Sequence, residues 1–297
     1  MRLQTLESRQ ASKKGASILI LGQHGIGKTS LCRQLDPRET LFVDVENSLQ
    51  SLEDWAGPAL TGFVDWTEIR DLACLIGGPV PSALPDESFS AAHYKRAMEK
   101  WPDAAKKIDE VDTIFWDSFT RSARLAQAFA ERSPKTNAPK GGKDKWAVFG
   151  MLADEMIAVI EHVQSRQDKN KVFVGIMDEA VDPMGRPVWE IQCPGSKTLK
   201  ALPGILDNIA SLVRVTVSEG CVSLANASTP QETPQFRALI CQENPWKLFG
   251  KHRGSALQMI EQPDLAGILR RLNEHTPPKP MTMDPMSVPI TQQQPGN

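Results

Sequence analysis

Short apolar runs recur along the chain, separated by stretches whose apolar residues fall at helical spacing. The runs at 17–21 (SILIL), 40–45 (TLFVDV), 111–117 (VDTIFWD) and 171–177 (KVFVGIM) are five to seven residues long. Continuous apolar strands of this length suit a parallel sheet buried on both faces. Between them, residues 30–35, 66–76, 94–107, 118–132 and 146–164 read as helices. Residues 77–90, with two glycines and three prolines, read as a surface excursion, and 134–145 as a polar loop rich in Gly and Lys. A hairpin is expected around Met184-Gly185-Arg186-Pro187. From Asn208 the pattern changes to strands at 211–217, 221–225 and 236–241, closed by a helix at 264–272. The expected fold is α/β, a mainly parallel sheet flanked by helices with a β-rich C-terminal part, in one domain over 16–274. Residues 1–15 read as a flexible lead-in. Residues 275–297, rich in Pro, Met and Gln, read either as a disordered tail or as a short peptide that docks on a partner.

Composition narrows the class without naming it. Of 297 residues, 40% are apolar and 24% charged, ordinary values for a globular protein with an ample core. There is no stretch long enough to span a membrane, and the first residues lack the apolar core of a signal peptide, so a cytoplasmic protein is expected. Cys32, Cys74, Cys193, Cys221 and Cys241 are scattered without paired spacing and read as reduced thiols. At a net charge of −2 no global field draws the chain to nucleic acid, so any such contact must come from local basic segments.

The candidate chemistry begins directly after the first strand. Gly22-Gln23-His24-Gly25-Ile26-Gly27-Lys28-Thr29 is a complete Walker A loop, followed by Ser30 and a run that can form a helix. Its glycines let backbone N–H groups face a phosphate chain. Lys28, read as the only side-chain cation of the cradle, reaches the β/γ-phosphates, and the Thr29 hydroxyl takes a place on Mg²⁺. A nucleoside triphosphate, ATP with Mg²⁺, is the expected ligand. Asp117 ends the third strand as a Walker B carboxylate would; the alternative is an Asp that caps the following helix. Glu46, just past the second strand, is placed to orient and deprotonate an attacking water, with Asp44 as its competitor for that role.

With these residues in view, the chain resembles the RecA-like recombinase ATPases, and most closely the phage-borne relatives of RecA that anneal or pair single-stranded DNA. The resembling segments are 18–30, 41–49, 114–125, 172–206 and 246–272, spread from one end of the domain to the other, of which only the first is specific by itself. The resemblance implies that Asp44-Val45-Glu46 carries the catalytic base at Glu46 and that Asp117-Ser118 is the Walker B step. It implies that Lys251 and Arg253 enter the neighbouring subunit's nucleotide site and join Lys28 and Glu46 in catalysis; the bland reading of that pair is a solvated basic turn. In place of the family's polar sensor after the next strand stand Asp178 and Glu179.

The same resemblance implies two loops that face DNA. One holds Arg132, Lys135, Lys140, Lys143 and Lys145; the other, over 181–200, holds Arg186, Trp189, Lys197 and Lys200. These cations suit phosphate contacts, and Trp189 would either stack on a base or pack on the sheet. The expected protein is a DNA-stimulated ATPase that assembles head-to-tail into a ring or filament and acts on single-stranded DNA in recombination or annealing. It would work in the cytoplasm of a bacterium or of a phage's host, and its tail would be free to bind a single-strand binding protein. Its rivals are an oligomeric DNA motor (a helicase or helicase loader) and a nucleotide-dependent scaffold with little turnover.

Overall fold

The computed structural model describes residues 15–218, 220–225, 229–230 and 232–274. The expectations for 1–14 and 275–297 therefore lie outside the described residues. Gly15 is not loose, since its N–H donates to the Gln167 carbonyl at 2.6 Å.

Five parallel strands form the centre: β1 (Ser17–Gly22), β2 (Thr40–Asp44), β3 (Ala59–Leu60), β4 (Thr113–Asp117) and β5 (Asn170–Val181). Beyond β1 lies β7 (Asn208–Ser218), whose first residues run parallel to it. There the sheet changes character. β8 (Cys221–Leu224), β9 (Phe236–Ile240) and the two-residue β10 (Lys251–His252) pair antiparallel to β7, and β11 (Ile260–Glu261) pairs antiparallel to β9. The spatial order is β11-β9-β7-β1-β5-β4-β2-β3, with β6 (Pro187–Ile191) folding back on the far half of β5. The expected fold class stands, and β3, β10 and β11 are short additions that no apolar run announced.

Strand alternation divides the core in two. Leu19, Leu21, Leu41, Val43, Trp116 and Phe173 face one side, while Ile18, Ile20, Phe42, Phe115, Val172 and Val174 face the other. The first face is covered by α1 (Trp66–Gly77), α4 (Phe119–Arg132) and α5 (Lys145–Gln164). The second packs on the turn after β1 and on α7 (Leu265–Glu274). Each helix of the first face begins where its sequence provides a cap. Asp65 and Glu68 form a reciprocal capping box on α1; Ser118 caps α4 and Asp144 caps α5.

Three segments differ from expectation. The helix expected over 94–107 is two, α2 (Ala91–Lys100) and α3 (Pro102–Glu110). Pro102 has no N–H to continue the first helix but suits the first turn of the second. The segment after the glycine-rich loop is a 3₁₀ helix, Thr29–Gln34, rather than an α-helix. The second expected loop, 181–200, is strand β6 followed by the start of α6 (Ser196–Ile205), so Lys197 and Lys200 lie on a helix.

Candidate functional site

β1 delivers Gly22 to the carboxyl edge of the sheet, and the chain then turns back over it. Gly25 and Gly27 adopt φ values of 71° and 95°, which side chains resist. Ile26 is buried beneath the loop, whereas Gln23, His24 and Gly25 face solvent. Lys28 Nζ donates to the carbonyls of Gly22 at 2.8 Å and Gln23 at 2.9 Å, closing the loop on itself. Thr29 Oγ1 donates to Asp117 Oδ2 at 2.5 Å, which joins the loop to the end of β4 although β5 lies between their strands.

Asp44 and Asp117 are register partners at the ends of β2 and β4, and both are buried. Their roles separate by hydrogen bonding. Asp44 accepts from the N–H of Ser48 at 2.7 Å and of Leu49 at 3.0 Å, so it caps the 3₁₀ turn Leu49–Leu52. Glu46, half-buried just beyond, receives the Ser118 hydroxyl on its carboxylate, and its own N–H donates to the Asp117 carbonyl at 3.2 Å. Of the two competitors for the water-activating role, Glu46 is the one not committed to backbone capping. Asp178 also faces the site. Gln192 donates to its carboxylate, and Arg124 in turn donates to Gln192 at 3.2 Å. Glu179 is exposed opposite Trp189 in the β5–β6 ladder.

Charge explains what this cluster lacks. Burial pulls the Lys28 pKa down, while Asp117, Glu46 and Asp178 pull it back up. Burial pushes Asp117 up to about 6, with Glu46 and Asp44 adding to the rise against hydrogen bonds from Thr29 and Ser48. Three carboxylates around one ammonium would repel a triphosphate unless a cation came with it. The oxygen donors of Thr29 and Asp117 suit Mg²⁺, a hard ion that takes one or two protein ligands and fills the rest with phosphate and water. No group of three or more acidic, His or Cys side chains that could hold a metal occurs among the described residues. The protein alone therefore offers too few ligands, and the ion fits only together with the nucleotide.

This carries a prediction for the nucleotide-free protein. The folded-state pKa of Asp117 lies above the ordinary value of 3.8, so folding binds a proton more tightly and stability falls as pH rises through 4 to 6. A rise of this size corresponds to about 3 kcal/mol. Asp117→Asn should flatten that fall and raise stability at pH 7.5 by about 1–3 kcal/mol, as read by denaturant unfolding at several pH values. A parent protein with no loss of stability between pH 4 and 6 would contradict it.

Other expected site residues lie apart from this cluster. Lys251 and Arg253 sit at the opposite edge of the sheet, where His252 pairs with Asn208 and Asn208 with Ile18. The four steps from Ile18 to Gly22 span roughly 13 Å of strand, so neither cation reaches its own loop. Lys251 donates to the carbonyls of Pro203 and, at 2.7 Å, of Leu206. Arg253 donates to Gly204 O at 3.0 Å and Asp207 at 3.2 Å. Together they hold the last carbonyls of α6.

Several candidate DNA contacts also have partners within the chain. Arg132 pairs with Asp65 at 2.5 Å, Arg186 with Asp182 at 2.7 Å and Lys197 with Asp154 at 2.6 Å. Lys143 ties its loop together through Ser133 O and Asn137, both at 2.7 Å. Trp189 packs partly against the core. Lys135, Lys140, Lys145 and Lys200 make no ion pair among the described residues.

Three residues escaped the sequence reading. Trp146, in the first turn of α5, is 87% exposed beside Lys145; its place at the start of the helix, directly after a lysine-rich loop, was a usable signal. Gln192 reaches Asp178 only because β6 folds back, and no spacing announces that. Arg237, on β9, donates to Gly27 O at 3.5 Å and Ser30 Oγ at 3.3 Å. Lys28 is thus not the sole cation at the cradle.

A glycine-rich loop after a central parallel strand, with a carboxylate held to it from the next strand but one, defines a P-loop nucleotide-binding domain. Its sheet is mainly parallel and flanked by helices, with a β-rich C-terminal part. The chain belongs to the AAA domain family (AAA_24), whose model matches residues 14–253, and so carries an ATPase domain. No curated protein matches it. Among solved structures, the RadB recombinase is 14% identical with a TM-score of 0.30, covering 84% of this chain and 91% of its own. A prototypical ATPase from the type III secretion system of pathogenic bacteria is 15% identical with a TM-score of 0.37, covering 67% of this chain. The chain spans about half (52%) of that ATPase. Likenesses this distant leave the strand order and the loop to define the fold. No helix among the described residues is long and apolar enough to cross a membrane.

Proposed function

We propose that the protein hydrolyses ATP with Mg²⁺, assembles head-to-tail, and couples turnover to single-stranded DNA in annealing or recombination. The observation that carries the first part is the convergence of Lys28, Thr29, Asp117 and Glu46 at one strand edge, with Thr29 and Asp117 in direct contact. In this reading the backbone of residues 22–29 cradles the phosphates, and Lys28 leaves the Gly22 and Gln23 carbonyls to meet them. Mg²⁺, when bound, neutralises charge on the β- and γ-phosphate oxygens. Glu46 accepts a proton from water aligned with the γ-phosphorus, and the Ser118 hydroxyl holds its carboxylate toward that water. Arg253, on the far edge of the sheet, suits delivery into a neighbouring copy's site. Such an interface joins unlike surfaces and builds rings or filaments.

Lys28→Ala should abolish MgATP binding in a titration with the full chain. Retained tight binding would remove the nucleotide reading.

DNA action is supported by Lys135, Lys140 and Lys145, which make no ion pair among the described residues, and by Trp146, which follows Lys145 and is exposed. Replacing these three lysines with alanine should weaken single-strand binding and flatten its salt slope by about 0.7 for each phosphate no longer neutralised. Trp146→Ala should cost about 1–3 kcal/mol more. Lys143 is left in place because it holds the loop together. Unchanged affinity and slope in a fluorescence titration would move the DNA surface elsewhere. A directional motor remains the second reading, favoured if the protein separates duplexes.

A further inference from the structure

Arg237 enters the nucleotide site from the side opposite the carboxylates. Asp117 and Glu46 come from β4 and the end of β2, beyond β5 on one flank of β1; Arg237 comes from β9, beyond β7 on the other flank. A triphosphate whose γ end lies between Lys28, Glu46 and Asp117 must run its α-phosphate and nucleoside toward the β7–β9 flank. Arg237 stands there, against the Gly27 carbonyl and the Ser30 hydroxyl. Its approach to the loop is close: a Cβ on Gly27 would fall 2.3 Å from Nη1, and the end of the arginine would have to move to admit one.

Two further observations point to an anion. A guanidinium carries five N–H donors, and Nη1 alone is used on the loop, which leaves Nε and Nη2 without an acceptor among the described residues. Directly opposite Arg237 in the β7–β9 ladder is Arg214, also exposed. Like charges facing each other across strands are destabilising. Neither arginine has a carboxylate partner among the described residues that would offset the repulsion. A phosphate bound between them and the loop would.

We propose that Arg237, backed by Arg214, is a cationic arm of the nucleotide site that holds the α-phosphate within the same subunit. This rests on the nucleotide reading above and extends it to the end of the ligand that Lys28 does not touch. Because ATP and ADP share the α-phosphate, the arm acts on both equally. Lys28, aimed at the β- and γ-phosphates, discriminates between them.

Calorimetric titration of the full chain with MgATP and MgADP tests this, using the parent, Lys28→Ala, Arg237→Gln and Arg237→Lys. Arg237→Gln should weaken both nucleotides by the same factor, about ten- to a hundredfold for the removal of a charge-assisted hydrogen bond. Arg237→Lys should recover most of that affinity, and the nucleotide-free melting temperature of Arg237→Gln should not fall below the parent's, because one of two facing like charges has been removed. Parental affinity in Arg237→Gln would overturn the assignment, as would a loss confined to ATP. So would weak binding that lysine fails to recover and that tracks a fall in melting temperature, since Arg237 would then only brace the loop. If the parent binds neither nucleotide, the underlying nucleotide reading fails first and is separately identified.

Discussion

Glu46→Gln should bind MgATP as the parent does and hydrolyse it about 10²–10⁴-fold more slowly, the usual worth of a positioned general base. The amide matches the carboxylate in shape and can still receive the Ser118 hydroxyl, so the local structure should hold. It cannot take a proton from water. The neighbouring carboxylates are poor substitutes: Asp44 is engaged by the N–H groups of Ser48 and Leu49, and Asp117 by Thr29 and Ser48. Steady-state turnover at saturating ATP, together with a binding titration, separates the two effects. Parental turnover in Glu46→Gln would remove Glu46 from the chemistry and return attention to Asp178, which also faces Lys28.

The second large effect concerns Arg253. If it serves a neighbour, Arg253→Ala should still bind ATP yet lose about 10³–10⁵ in hydrolysis, the range for arginine fingers. Mixing it with Glu46→Gln protein should bring activity back. Some mixed interfaces then pair an intact Glu46 with an intact Arg253 from the other variant, which no arginine acting on its own subunit could achieve. Arg253 is the better choice for the test because its side chain is 54% exposed and, among the described residues, paired with an exposed Asp207 and one carbonyl. Lys251, by contrast, holds two carbonyls at the end of α6, and its removal would also loosen that helix. No recovery in mixtures shown to co-assemble would rule out the shared site.

The parts of this molecule that were legible in its sequence are those fixed by local rules. Buried parallel strands read as apolar runs, and the helices at 66–76, 118–132 and 146–164 as apolar residues at helical spacing. The glycine-rich loop declared itself because its backbone geometry demands particular residues at fixed spacing. What was missed depends on partners far apart in the chain. Arg237 lies 210 residues from Gly27 and gains its meaning only from the order of β9, β7 and β1. The lysines of the 132–145 segment look alike in sequence, yet Lys143 braces its loop while Lys140 makes no ion pair among the described residues. Which cation is engaged depends on where carbonyls happen to close around it. The break between α2 and α3 is a different case. There the missing N–H of Pro102 was a local signal that the helical composition of 94–107 masked.

The length of β5 has a mechanical consequence. The strand runs unbroken from Asn170 to Val181, and the four steps from Met177 to Val181, about 13 Å, carry it past the sheet edge into the hairpin. Neither glycine nor proline interrupts Ile176 to Val181, so no hinge separates Asp178 from the tip that bears Met184 and Arg186. The hairpin would then act as a lever whose short arm, at Asp178, lies within electrostatic reach of Lys28. A tilt of a few degrees at Asp178 would displace the far end of the strand, at Val181, in proportion to its distance from that fulcrum.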